Sequence, residues 1–99
     1  MPLFTEILVK ELLAPTTSAD TSKKIIISDD RFVSVAANGL AGAEEVTFDI
    51  DLNGTWVAIA TSSTPKLDAS NNLTQLAGPN TYRVNKDATV ASVGVYLVD

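Results

Sequence analysis

From Glu45 to Leu52 the chain alternates without a break. Val46, Phe48, Ile50 and Leu52 point one way, and Glu45, Thr47, Asp49 and Asp51 the other. A period of two over this length is that of a half-buried β-strand, because a helix would scatter those apolar side chains around its axis. Asn53-Gly54 follows at once. Both residues tolerate the positive φ that a two-residue type I′ turn requires. Thr55 to Thr61, carrying Trp56, Val57 and Ile59, is then the return strand. A chain of 99 residues has room for one domain, so this hairpin sets the class for the rest.

The remaining segments extend the same reading. Lys24 to Ser28 and Arg31 to Ala37 form a second expected pair about Asp29-Asp30, and Ile25-Ile26-Ile27 is β-branched throughout, which suits a strand. Phe32 and Ser34 should face away from Val33 and Val35. Asn38-Gly39 and Gly42 break the chain before the central hairpin. Beyond Leu67, the stretch from Asp68 to Asn72 reads as a turn. Leu73 to Ala77 is a strand, stopped by Gly78-Pro79-Asn80. Tyr82 to Asn85 is the next, with Tyr82 and Val84 on one face. Lys86-Asp87-Ala88 turns again, and Val90 to Val98 closes the chain. The expected fold is all-β: an antiparallel β-sandwich or small barrel of about seven or eight short strands.

The N-terminal part is read separately. Leu3, Phe4, Ile7, Leu8 and Leu12 fit a helical stripe, and a strand also fits; the all-β context favours the strand. Thr16 to Ser22 is small and polar, as a flexible connector would be. Residues 1–22 are therefore expected to form an N-terminal segment or arm with its connector, and residues 23–99 the sandwich domain. Such an arm could pair with a neighbour's sheet edge, or be the first strand of its own sheet.

Charge and chemistry narrow the function. Seven Lys and Arg stand against twelve Asp and Glu, a net charge of −5. That balance repels nucleic-acid phosphates and anionic membranes. No run approaches the length of a membrane span, and no basic leader is seen at the start. The chain contains no His and no Cys. Thiol nucleophiles, a Ser-His-Asp arrangement and the usual zinc ligands are thereby excluded, and no cofactor is expected.

Two carboxylate readings remain. Asp49-Ile50-Asp51-Leu52-Asn53-Gly54 matches the opening of a calcium-binding loop, but Ala60 stands where a bidentate Glu should be, and Val57 offers no oxygen. Asp49 and Asp51 could also serve as a glycosidase pair, since alternate residues of a strand lie roughly 6.5–7 Å apart on one face. Two exposed acids ahead of a turn account for both patterns without a ligand or a substrate. Trp56, Tyr82 and Tyr96 could stack on sugars; as large apolar bodies with polar tips they also suit a core or an interface.

Two longer stretches, taken in order, carry a resemblance. The first is Asn38-Gly39-Leu40-Ala41-Gly42-Ala43-Glu44-Glu45-Val46-Thr47, running on to Asn53-Gly54-Thr55-Trp56. The second runs from Leu73 to Leu76, through Gly78-Pro79-Asn80-Thr81-Tyr82-Arg83-Val84-Asn85-Lys86-Asp87-Ala88-Thr89, to Gly94-Val95-Tyr96. Together they resemble small virion structural proteins of tailed bacteriophages, in particular capsid decoration or cement proteins. The resemblance covers roughly residues 38–97 and rests on turns and strand positions. It implies a non-enzymatic structural role in the virion, with assembly in the host cytoplasm. The implied partner is the major capsid protein, and the implied form is a homo-oligomer, such as a trimer. A tail- or fibre-associated module, such as one that binds carbohydrate, is the alternative it leaves open. The interface candidates are Leu3, Phe4, Ile7, Leu8, Trp56, Tyr82 and Tyr96.

Overall fold

The computed structural model describes residues 9–59 and 66–98. Leu3, Phe4, Ile7 and Leu8 lie outside the described residues. Among the described residues nine strands run in chain order: β1 (Val9–Thr16), β2 (Asp20–Thr21), β3 (Ile25–Ile27), β4 (Phe32–Asn38), β5 (Val46–Leu52), β6 (Thr55–Ile59), β7 (Leu73–Ala77), β8 (Asn80–Lys86) and β9 (Val93–Val98). They form two antiparallel sheets. The first has the order β1-β9-β4-β7. The second has the order β2-β8-β5-β6, with β3 beside β2 on the same edge of β8. The fold is a β-sandwich, one of the two architectures expected from the alternation.

Period-two patterning puts the core between the sheets. Leu13, Val33, Val35, Leu76, Val93 and Val95 enter from the first sheet, and Ile25, Ile27, Val46, Phe48, Tyr82 and Val84 from the second. Leu67 joins them, its backbone paired with that of Val46. The central hairpin has the expected turn, with φ of 57° at Asn53 and 91° at Gly54. Asp51 accepts a hydrogen bond from the Gly54 amide at 2.8 Å, which ties the strand end to its turn.

Four expectations are corrected. β3 and β4 do not pair: β3 lies against β8 in the second sheet, and β4 between β9 and β7 in the first. A tight hairpin needs positive φ at its two central residues. Among the described non-glycine residues only Asn53 has it, so the chain at Asp29-Asp30 arcs from one sheet to the other. Thr16 to Ser22 is not a loose connector, because Asp20 and Thr21 pair with Lys86 and Asn85. Lys86, read as the start of a turn, is buried as the last inward residue of β8. Its ammonium donates to the carbonyls of Ser18 at 2.6 Å and Asp87 at 3.1 Å. A buried ammonium must find such acceptors, and in doing so it fastens the 17–20 segment to the sandwich. The closing strand also begins later than expected, at Val93. Val90 is exposed, and its amide donates to Glu44.

Candidate functional site

The outer face of the second sheet carries a polar plate. Register sets Arg83 opposite Asp49, Asn85 opposite Thr47, and Trp56 opposite Asp51. Arg83 Nε donates to Asp49 Oδ2 at 2.7 Å, and Asn85 Nδ2 donates to the same oxygen at 2.8 Å. Thr21 donates to Asn85 Oδ1 at 3.0 Å. The Arg83 guanidinium lies 4.6 Å from the centre of the Trp56 ring, within cation–π range. Four strands, β2, β8, β5 and β6, are thus stitched through side chains on one face.

This plate revises the reading of the aspartates. Asp49 is not an exposed acid; it is only 9% accessible. Burial pushes its carboxyl up, but hydrogen bonds from Asn85 and Arg83 and the Arg83 charge outweigh burial and hold it below the ordinary 3.8. A carboxyl held ionised is poorly placed to give up a proton as a general acid. Asp51 is bonded to its own turn. Both members of the suggested pair therefore have structural partners, and the same holds for the start of the suggested calcium loop. Among the described residues no three His, Cys, Asp or Glu side chains converge on a metal position.

The Asp49 network gives an expected pH dependence. A carboxyl with a lowered folded value stabilises the protein fully above its unfolded value, and the contribution fades as pH falls through the folded value. Asp49→Asn should cost about 1–2 kcal/mol at neutral pH, as expected for charge-assisted bonds. The gap between wild type and variant should stay level down to the ordinary 3.8 and close below it. Urea denaturation across the acid range checks this, and a gap that widens in acid would contradict it.

The three rings do not come together. Tyr82 is a core residue rather than a surface one, and its hydroxyl donates to the Ala77 carbonyl at 2.6 Å. Trp56 is half-buried on the second sheet under Arg83. Tyr96 is half-buried on the outer face of the first sheet, where its ring lies across Gly94. No sugar could contact all three.

The outer face of the first sheet is different in kind. Register brings Val9 beside Val98, Tyr96 beside Ala36, Ala36 beside Leu73, and Phe32 beside Ala77. Ser34, Gln75 and Asn38 are its polar members, and Glu11, at the β1 edge, is its one charge among the described residues. Val9, Phe32 and Leu73 are 61%, 63% and 54% exposed. The sequence singled out only Tyr96 from this face. The signal for the rest was present as Phe32 and Leu73 at outward positions of their strands, but pairing was needed to show that they share a surface.

The resembling motifs have structural duties. Glu44 accepts from the amides of Ala41 at 3.0 Å and Val90 at 2.8 Å, joining the turn after β4 to the loop before β9. Tyr82, Arg83, Val84 and Lys86 fill the core, the plate and the buried anchor in turn. At the open side of the sandwich, a groove of about 520 Å³ lies between Lys10–Ala14 of β1 and residues 20–24. No protein family, curated protein or solved structure matches the chain.

Proposed function

We propose that this protein is a structural subunit of a bacteriophage particle, a capsid decoration protein that seats the outer face of its first sheet on the major capsid protein. The observation that carries the reading is that face: an open, four-stranded, almost uncharged surface on a chain of net charge −5. A protein that meets only water has no use for grouping Val9, Phe32, Leu73 and Tyr96 together. The resemblance of residues 38–97 to phage virion proteins supplies the identity of the partner.

Area argues for a lattice as the surface it meets. Four strands about 4.8 Å apart and about 7 residues long at about 3.3 Å each give a face of roughly 450 Å². A stable free pair of proteins commonly buries about 800 Å² on each side. One such face is thus a modest contact, and an oligomer presenting several copies to a repeating shell multiplies it.

Shells assembled from a phage major capsid protein without this chain are the test. Adding the chain to saturation should raise the temperature at which the shells open. No gain at saturation, with binding absent by sedimentation, would overturn the reading. The alternative of a tail- or fibre-associated module that binds sugar has lost its ring cluster: Tyr82 is in the core, and Trp56 and Tyr96 lie on different sheets, with Arg83 over the Trp56 ring.

A further inference from the structure

The groove beside β1 differs in charge from the molecule around it. Among the seven basic residues, Arg31 pairs with Asp29, Lys66 with Glu45 and Arg83 with Asp49. Lys86 is buried against carbonyls. The other three, Lys10, Lys23 and Lys24, have no partner among the described residues, and all three line the groove, where they outnumber its two carboxylates, Glu11 and Asp20. An acidic chain has therefore gathered its unneutralised cations at one place, on both walls of one opening.

The backbone there is also unfinished. β1 pairs with β9 on one side, and among the described residues its other edge has no ladder. Lys10–Ala14 of that edge forms one wall. On the far wall β2 ends at Thr21 and β3 begins at Ile25; Ser22 still bonds Val84 of β8 through its amide and its hydroxyl, so the break in the second sheet's edge is at Lys23 and Lys24. An open strand edge offers main-chain donors and acceptors to an extended peptide. Ammonium groups on both sides select for its charge. A phosphate chain would use the lysines and leave the edge idle.

We propose that this groove binds an extended acidic segment of a partner protein, which adds as a strand along β1 with its carboxylates toward Lys10, Lys23 and Lys24. Five residues, from Lys10 to Ala14, offer at most about 17 Å of edge, with a register shift between Glu11 and Leu13 that the added strand must follow. The site uses the edge of β1 and not the outer face of the first sheet, so its test is independent of docking on a capsid.

The probe is a labelled octapeptide of alternating glutamate and valine, titrated into the full chain by fluorescence anisotropy. Saturable binding is expected, weakening as salt rises. Hydrogen exchange at residues 10–14 should slow by about tenfold or more when peptide is bound. The triple variant K10E/K23E/K24E should bind at least about tenfold more weakly, with its circular dichroism unchanged. If it fails to fold, K10Q/K23Q/K24Q serves in its place and should show the same direction. Equal binding by either variant, or by a lysine–valine octapeptide, would overturn the proposal, as would no binding. Binding without slower exchange in β1 would reduce the site to charge alone and also overturn it. So would equal binding of a single-stranded oligonucleotide. Self-association of the neutral variant, with no peptide bound by the wild type, would make the lysines guards of the edge.

Discussion

Gly78→Ala should lower the melting temperature by about 10 °C or more. A Cβ at this position would fall 2.2 Å from the Asp29 carbonyl oxygen and 2.3 Å from Ile27 Cγ2. Neither neighbour can yield cheaply. Ile27 is buried and paired with Asn80, and the Gly78 amide donates to the Arg31 carbonyl at 2.7 Å. The β3–β4 link and the β7–β8 link therefore press on each other where both cross between the sheets. Overpacking of this kind costs about 1–3 kcal/mol or more. In a domain of this length each kcal/mol shifts the midpoint by roughly 4–8 °C. Gly94→Ala is the control. Its Cβ would meet the Tyr96 hydroxyl at 2.5 Å, but that ring end sits on an outer face and can swing aside, so a shift under about 5 °C is expected. Thermal circular dichroism of both variants decides the matter, and equal shifts would refute the argument.

The contrast between these two glycines shows what local pattern conveys. Alternation and turn residues marked most strands, because a half-buried strand must alternate whatever its neighbours are. They could not say which sheet a strand joins. Ile25, Ile27, Val33 and Val35 all turn inward, and that fact is satisfied equally by a hairpin and by two strands facing each other across the core. β2 is only two residues long, too short to carry any period. Lys86 was in principle legible, since Tyr82, Val84 and Lys86 share a parity on β8. Its charge obscured this, although a long stem with carbonyl acceptors at its end can be buried.

The site was less legible than the fold for a related reason. Arg83 and Asn85 reach Asp49 across 34 and 36 residues of sequence, and only the β5–β8 register brings them opposite. Asp49 thus looked like a solvated acid. The uncharged outer face of the first sheet was hidden in the same way, with its members spread over β1, β4, β7 and β9. Lys10 is distant in sequence from Lys23 and Lys24, and only the opening between β1 and residues 20–24 brings the three to one place.

Phe48 and Phe32 should respond oppositely to substitution, and this comparison bears directly on function. Phe48 is fully buried at the centre of the second sheet's inner face. Phe48→Ala should cost about 3–5 kcal/mol, from lost transfer energy and the cavity left behind. That is a large part of the 5–15 kcal/mol typical of a whole domain, and urea denaturation should show it as an early midpoint. Phe32 is on the outer face of the first sheet and 63% exposed. Phe32→Asp should change stability by less than about 0.5 kcal/mol. It places a charge in the proposed contact, where losing an aromatic anchor commonly costs about 2 kcal/mol or more. On the proposed capsid-decorating role, binding should therefore weaken about 30-fold per contact, and avidity would magnify the loss on a shell. Phe32→Asp protein that is folded and still raises the opening temperature of the shells would show that another face makes the contact. A folded variant that no longer binds would tie the exposed phenylalanine to assembly, since the core that Phe48 maintains would be intact.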